Sequence, residues 1–182
     1  NNICFSYHTL HGETNALNNI SFKVNHGDFL AIVGPSGCGK STLLSIIAGL
    51  IEPESGIIRL NNHHTEDTKL SVGYMLQHDH LLEWRSVYQN VILGLEINHC
   101  LTLENINYVN QLLDEYGLLH FKNKRPSELS GGMKQRAALI RTLALNPSLL
   151  LLDEPFSALD YQTRLVVSED ICSLIRRSGK TV

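Results

Sequence analysis

The sequence has no apolar run approaching the ~18–20 residues that cross a bilayer. Its most apolar region, AALIRTLALNPSLLLLD, is broken by Arg141, Asn146 and Pro147. Its first residues, NNICFSYHTL, lack both the basic and the apolar stretch of a secretory signal. Cysteine is sparse: Cys4, Cys38, Cys100 and Cys172 occur singly, without metal-ligand spacing, and read as free thiols of a reducing compartment. A basic excess is missing too. The net charge is −3, and the small basic groups at Lys122, Lys124, Arg125 and at Arg176, Arg177, Lys180 read as solvated faces, so no nucleic-acid partner is expected. Repeats and low-complexity stretches are absent. What remains is 182 residues, 43% apolar and 18% charged, the balance of one packed globular unit.

Within that unit, ISFKV (20–24) and DFLAIVG (28–34) are rich in β-branched and aromatic residues and predict strands, as do GIIRLN (56–61) and VGYMLQ (72–77). A helix is predicted over 40–48, stopping at Gly49. After Gln77 the period changes to that of helices, expected near 86–97, 103–116 and 130–145. SLLLLDEP (148–155) then predicts a strand buried on both faces, as in a parallel sheet, and 161–178 an amphipathic helix ended by Gly179. His63-His64 and His78-Asp79-His80 lie in or beside predicted loops and read as solvated surface.

GPSGCGKST places small residues between an apolar strand and an apolar helix, and fits G-x-x-x-x-G-K-[ST] from Gly34 to Ser41. Glycines let the backbone curl so that N–H groups converge on phosphate oxygens, with the positive end of a helix behind them. Gly34, Pro35, Ser36, Gly37, Cys38, Gly39, Lys40, Ser41 and Thr42 are therefore the expected nucleotide contacts, with Pro35 and Cys38 at variable positions. Lys40 is expected on the β- and γ-phosphates and the Ser41 hydroxyl on magnesium.

Asp153 and Glu154 end the apolar run. Beside a phosphate loop, Asp153 is placed to hold magnesium, directly or through water, and Glu154 to polarise an attacking water. LSGGMKQR (129–136) opens another helix with a serine and two glycines, a second phosphate-binding surface at Ser130, Gly131 and Gly132. One nucleotide does not need two such surfaces, so a dimer is expected.

In the order of these motifs the sequence resembles the ATP-binding-cassette ATPases over essentially its whole length. GPSGCGKS resembles their Walker A, LLLLDE their Walker B with catalytic glutamate, LSGGM their signature, Gln77 in GYMLQ their Q-loop glutamine and SALD (157–160) their D-loop. The resemblance implies an α/β fold of the P-loop NTPase kind with an antiparallel β subdomain and a helical insertion: 1–77 and 146–182 as core with β subdomain, 78–145 as helical subdomain. It implies ATP and Mg2+ as cofactors, Tyr7 stacked on adenine, Glu154 and Gln77 as catalytic residues, and Ser41, Gln77 and Asp153 around the metal. It further implies a head-to-tail homodimer or paired subunit with ATP in the interface, a peripheral place on the cytoplasmic face of the cell membrane, an integral membrane permease as partner and, indirectly, a periplasmic or lipid-anchored solute-binding protein. By the same resemblance Val182 falls inside a strand, short of the family's γ-phosphate histidine, so a truncated C-terminus is expected and the activity of this stretch alone is left open.

HDHLLEWRSVYQNVILGLEI resembles the importer branch serving nitrate, sulfonates and taurine, through Trp84 and NV-LGLE; a common pattern there has proline where this chain has Glu83. The ATPase subunit of a bacterial importer is the expected function. The alternative is a soluble cassette ATPase of cofactor assembly or repair, although the interval between Gln77 and the signature carries no sustained heptads for a coiled coil. A small-molecule kinase would have no use for LSGGMKQR.

Overall fold

The computed structural model describes residues 1–9, 12–60, 63–64, 72–156, 161–177 and 179–182. Strand β1 (Ile3–Thr9) pairs antiparallel with β2 (Gly12–Ile20), setting Tyr7 opposite Thr14. This hairpin replaces the strand expected at 20–24, of which only Ile20 lies in a ladder. GETNALNNI has almost no period-2 apolar signal because most of it faces solvent; pairing with β1 makes it a strand. Ile3 and Leu17 pack on Leu43 and Ile46 of helix α1 (Lys40–Ile47), forming a small core beneath the glycine loop. The helix ends at Ala48 and Gly49, where the sequence places its stop.

The segment 28–34 is not a continuous strand. The Leu30 N–H donates to Val182 O (2.8 Å) and the Val182 N–H to Asp28 O (3.0 Å), a parallel bonding pattern. Residues 31–33 have no backbone–backbone bond among the described residues, and Val33 is 91% exposed. Apolar composition alone does not make this stretch a strand; a ladder forms only where a partner lies beside it, at residues 28–30. The stretch expected at 56–61 is similarly reduced to β3 (Arg59–Leu60), paired with β4 (His63–His64). Its upstream backbone bonds to the N-terminus, with the Ile57 N–H on Asn1 O at 3.0 Å.

Strands β5 (Val72–Met75) and β6 (Leu149–Leu152) pair in parallel, Val72 opposite Leu149 and Met75 opposite Leu152. A parallel bridge from Leu149 to Thr181 extends this order, so β5, β6, residues 181–182 and residues 28–30 lie side by side. Gly73 permits the close packing here: a Cβ on it would stand 2.8 Å from Pro147 Cγ and from Thr142 Cγ2.

Between the parallel strands run α2 (Val87–Val91), α3 (Leu93–Ile97), α4 (Leu103–Glu115) and α5 (Gly131–Leu143); α6 (Tyr161–Arg177) comes after β6. The helix expected over 86–97 is divided only at Ile92, through which the hydrogen bonds continue: the Ile92 N–H donates to Tyr88 O and the Glu96 N–H to Ile92 O. Val87, Val91, Leu95, Val109, Leu113, Leu139, Ile140 and Leu143 interlock with Met75, Leu150 and Ile175 in one larger core. That core holds β5 and β6 from one side, and two of its helices anchor the chain beyond Met75. Asn90, fully buried on α2, accepts from the Leu82 N–H (2.7 Å) and donates to Leu82 O (3.1 Å) and Ser86 O (3.0 Å). The Arg141 guanidinium on α5 donates to Asp79 O (2.6 Å) and His80 O (2.7 Å). Its burial pushes the Arg141 pKa down, partly offset by the Asp79 carboxylate. The loop after Gln77 is thus tied to two helices. No described helix is long and apolar enough to cross a membrane.

Candidate functional site

The glycine loop lies at the surface, where α1 begins. Gly37 (φ 78°) and Gly39 (φ 92°) hold left-handed backbone, and a Cβ on Gly39 would lie 2.5 Å from Ala16 O. Gly39 occupies the cap position of α1 without a side-chain cap, and among the described residues no side chain accepts from the first-turn N–H groups. Lys40 folds back over the loop: its Nζ donates to Gly34 O and Pro35 O, both at 2.9 Å, and stands 3.9 Å from both Cys38 Sγ and Glu154 Oε1. The ammonium thus stands inside the curve that phosphate oxygens would enter.

The parallel strands bring the acids to this point. Asp153, 7% exposed, donates its N–H to Met75 O (2.9 Å), continuing the β5–β6 ladder past its last assigned pair. Its Oδ1 accepts from Ser41 Oγ at 3.0 Å and its Oδ2 from the Tyr74 hydroxyl at 3.4 Å. Glu154 is exposed and takes φ 45°, a left-handed conformation that costs a non-glycine residue roughly 1 kcal/mol or more. This turns its carboxylate towards the loop, with Gln77 Nε2 donating to Oε2 at 3.4 Å. Lys40, Ser41, Gln77, Asp153 and Glu154, far apart in sequence, therefore form one connected set. Gln77 joins it through Glu154 and has no hydrogen bond to Ser41 or Asp153 among the described residues.

Tyr7, 44% exposed on β1, hydrogen bonds through its hydroxyl to Thr42 Oγ1 (3.0 Å) and packs edge-to-face on Phe5 with ring centroids 5.0 Å apart. An aromatic ring therefore stands beside the first turn of α1, while the Thr42 side chain is turned inward and engaged by it. Ser130, Gly131 and Gly132 start α5, where Ser130 Oγ accepts from the Met133 N–H at 3.3 Å. Among the described residues, none of these hydrogen bonds to residues 34–41. Residues 157–160, matched to the D-loop, lie outside the described residues.

Tyr74 and Ser45 carry no motif in the sequence. The Tyr74 hydroxyl is 3.4 Å from Ser45 Oγ on α1 as well as from Asp153. Burial raises its pKa, the Ser45 hydrogen bond opposes this, and the Asp153 charge adds to it. The available signal was a tyrosine in a strand otherwise expected to be apolar, three residues before Gln77.

As for a metal, the hydroxyl of Ser41 and the carboxylate of Asp153 offer adjacent oxygens, the donor type that suits magnesium. The donor set fits.

The family model described as ABC transporter matches residues 17–157. The chain is 49% identical to an ABC transporter ATP-binding protein of Bacillus subtilis, YtlC, over 98% of this chain and 69% of that one. It is 41% identical to the taurine import ATP-binding protein TauB of Jannaschia sp. (94% and 64%), and 43% identical to the nitrate import ATP-binding protein NrtD of Synechocystis sp. (91% and 62%). The chain thus spans about two thirds of these relatives' length. Among solved structures it is similar to the cassette MJ0796, in a dimeric post-hydrolysis state bound to ADP and Pi, at 32% identity and TM-score 0.81, covering 100% of this chain and 84% of that one. It is similar also to CbiO1 of Clostridium perfringens, part of the transporter complex CbiONQ, at 30% identity and TM-score 0.83, covering 99% and 74%. Glycine loop, paired acids and helical region occur here in one connected fold, and by both sequence and structure the chain belongs to the ABC transporter family.

Proposed function

We propose that this chain is the ATP-binding and ATP-hydrolysing part of a bacterial importer subunit. The carrying observation is the convergence of Lys40, Ser41, Asp153, Glu154 and Gln77 at the open start of α1. Phosphate oxygens replace Gly34 O and Pro35 O as acceptors for the Lys40 ammonium, while backbone N–H groups of the loop and first turn donate to the same anion. Tyr7 offers its ring to the base. Ser41 and Asp153 would hold magnesium, with Gln77 beside them through its hydrogen bond to Glu154, and the ion would supply charge neutralisation at the phosphates. Glu154 accepts a proton from a water positioned with Gln77. That water's oxygen bonds to the γ-phosphorus as the bond to ADP breaks.

The surface at Ser130, Gly131 and Gly132 serves the nucleotide of a second copy or paired subunit, so that ATP closes the dimer and hydrolysis reopens it. Residues 1–77 and 146–182 act as the core, and 78–145 as the helical part that moves with the partner. Trp84, 73% exposed in the loop tied down by Asn90, supports a seat for an integral membrane permease on the cytoplasmic face of the membrane. A solute-binding protein would act through that permease. The relatives that import taurine and nitrate favour this reading over a soluble assembly-type ATPase.

The test is phosphate release from ATP by the purified full subunit, without any acceptor. Glu154→Gln is expected to lower turnover at least ~100-fold while ATP binding persists and dimers accumulate. Wild-type turnover in that variant would remove Glu154 from its role, and strict dependence on an acceptor would indicate a kinase.

A further inference from the structure

We propose that Tyr74, held by Ser45, is a positioning residue for the metal-binding carboxylate of Asp153. The proposal rests on the reading of Ser41 and Asp153 as magnesium ligands and assigns the support behind them.

The direction of the hydrogen bonds is fixed by chemistry. The Tyr74 hydroxyl donates to Asp153 Oδ2 (3.4 Å), the carboxylate oxygen being the acceptor. Ser45 Oγ, 3.4 Å from the same tyrosine oxygen, must then donate to it. The chain of bonds runs from Ser45 on α1, through Tyr74 on β5, to Asp153 beyond β6, joining the three elements that converge on the site.

The two contacts of Asp153 differ in kind. Ser41 holds Oδ1, and both of those oxygens are candidate ligands, so this contact is the one a cation competes for. Tyr74 holds Oδ2 and lies outside the ligand set. Among the described residues no other side chain hydrogen bonds to that oxygen. Groups of this kind fix ligand orientation, and their removal typically weakens metal binding by ~10–100-fold; 3.4 Å is long for an O–H···O bond, so an effect at or below the bottom of that range is expected.

The experiment is a titration of a fluorescent ATP analogue onto the full subunit, first in chelator and then at fixed nucleotide with rising Mg2+. Tyr74→Phe keeps the ring and removes the hydroxyl. The expected result is a ~3–10-fold rise in half-saturating Mg2+ with chelator binding unchanged. Ser45→Ala should give a smaller rise, and none in the Tyr74→Phe background, because it acts through that hydroxyl. An unaltered Mg2+ midpoint in Tyr74→Phe, or equal loss of binding with and without Mg2+, would overturn the assignment. If Tyr74→Phe does not fold, Ser45→Ala alone decides by the same midpoint. Mg2+-independent binding by the wild type would instead overturn the reading of Ser41 and Asp153 as its ligands.

Discussion

Two helices in this chain begin with glycine and serine chemistry, and they begin differently. Helix α1 starts from Gly39 in left-handed conformation and carries no side-chain cap. Helix α5 starts from Ser130 in extended conformation, and its hydroxyl accepts from the Met133 N–H. An ordinary helix gains about 1 kcal/mol from such a cap. The start of α1 forgoes it and leaves its first-turn donors to an incoming anion, in a loop whose lysine already stands inside the curve. Helix α5 satisfies one of its own donors and can stand alone until another molecule approaches. On the proposed function, the difference separates a site for a nucleotide within one chain from a surface that serves the nucleotide of a second chain.

The largest effect should come from closing the first start. Gly39→Ala adds a Cβ at 2.5 Å from Ala16 O, where φ is 92°. Left-handed backbone and the clash together should cost about 2 kcal/mol or more of stability, measured by urea unfolding, and ATP binding should fall more than ~10-fold as α1 is displaced. Gly37→Ala is the control within the same loop: its φ is 78°, but a Cβ there meets nothing within 4 Å, so the fold should lose only about 1 kcal/mol. Equal binding losses in both variants would show that flexibility, rather than the seat on β2, sets the loop.

A smaller and different effect is expected at the second start. Ser130→Ala removes the α5 cap at a cost of about 1 kcal/mol. Binding of ATP by a single chain should be unchanged, because among the described residues Ser130 has no hydrogen bond to residues 34–41. ATP-driven dimer formation, measured by sedimentation in the Glu154→Gln background, should weaken by at least ~10-fold, the low end of the value of one hydrogen bond to charged phosphate. Loss of single-chain ATP binding would contradict the contrast between the two helices.

How far these sites were readable in the sequence depended on whether local or distant chemistry made them. The start and stop of α1, the extent of α4, α5 and α6, and the end of β6 come from glycine, hydroxyl caps and helical period, all local signals. Lys40 with Ser41 and Asp153 with Glu154 were legible for the same reason, since each pair sits at the end of an apolar element that aims it. Where a partner decides, local signals mislead. Residues 31–33 have strand composition and no ladder among the described residues, whereas GETNALNNI has little strand composition and pairs with β1 through a ladder interrupted by two register shifts. Tyr74 and Ser45 were not legible because their meeting with Asp153 depends on β5 lying beside β6 and on α1 coming within reach of Tyr74, which no spacing within either segment encodes. The left-handed turn at Glu154 is of the same kind, since no local signal favours that conformation for a glutamate.

The smallest effect tests whether a cap in this protein is only a cap. Thr102 starts α4 as Ser130 starts α5, its hydroxyl accepting from the Asn105 N–H at 3.2 Å, and it lies outside every contact of the nucleotide site. Thr102→Ala should therefore lower stability by about 1 kcal/mol, the same loss as Ser130→Ala, and shift neither ATP binding, nor turnover, nor dimer formation. Thermal unfolding and sedimentation of the two variants side by side make the comparison. If they lose equal stability while only Ser130→Ala loses dimers, the hydroxyl of Ser130 has a use beyond its own helix. If both lose dimers equally, the effect belongs to a loosened helical region, and the contrast between the starts of α1 and α5 reduces to helix stability.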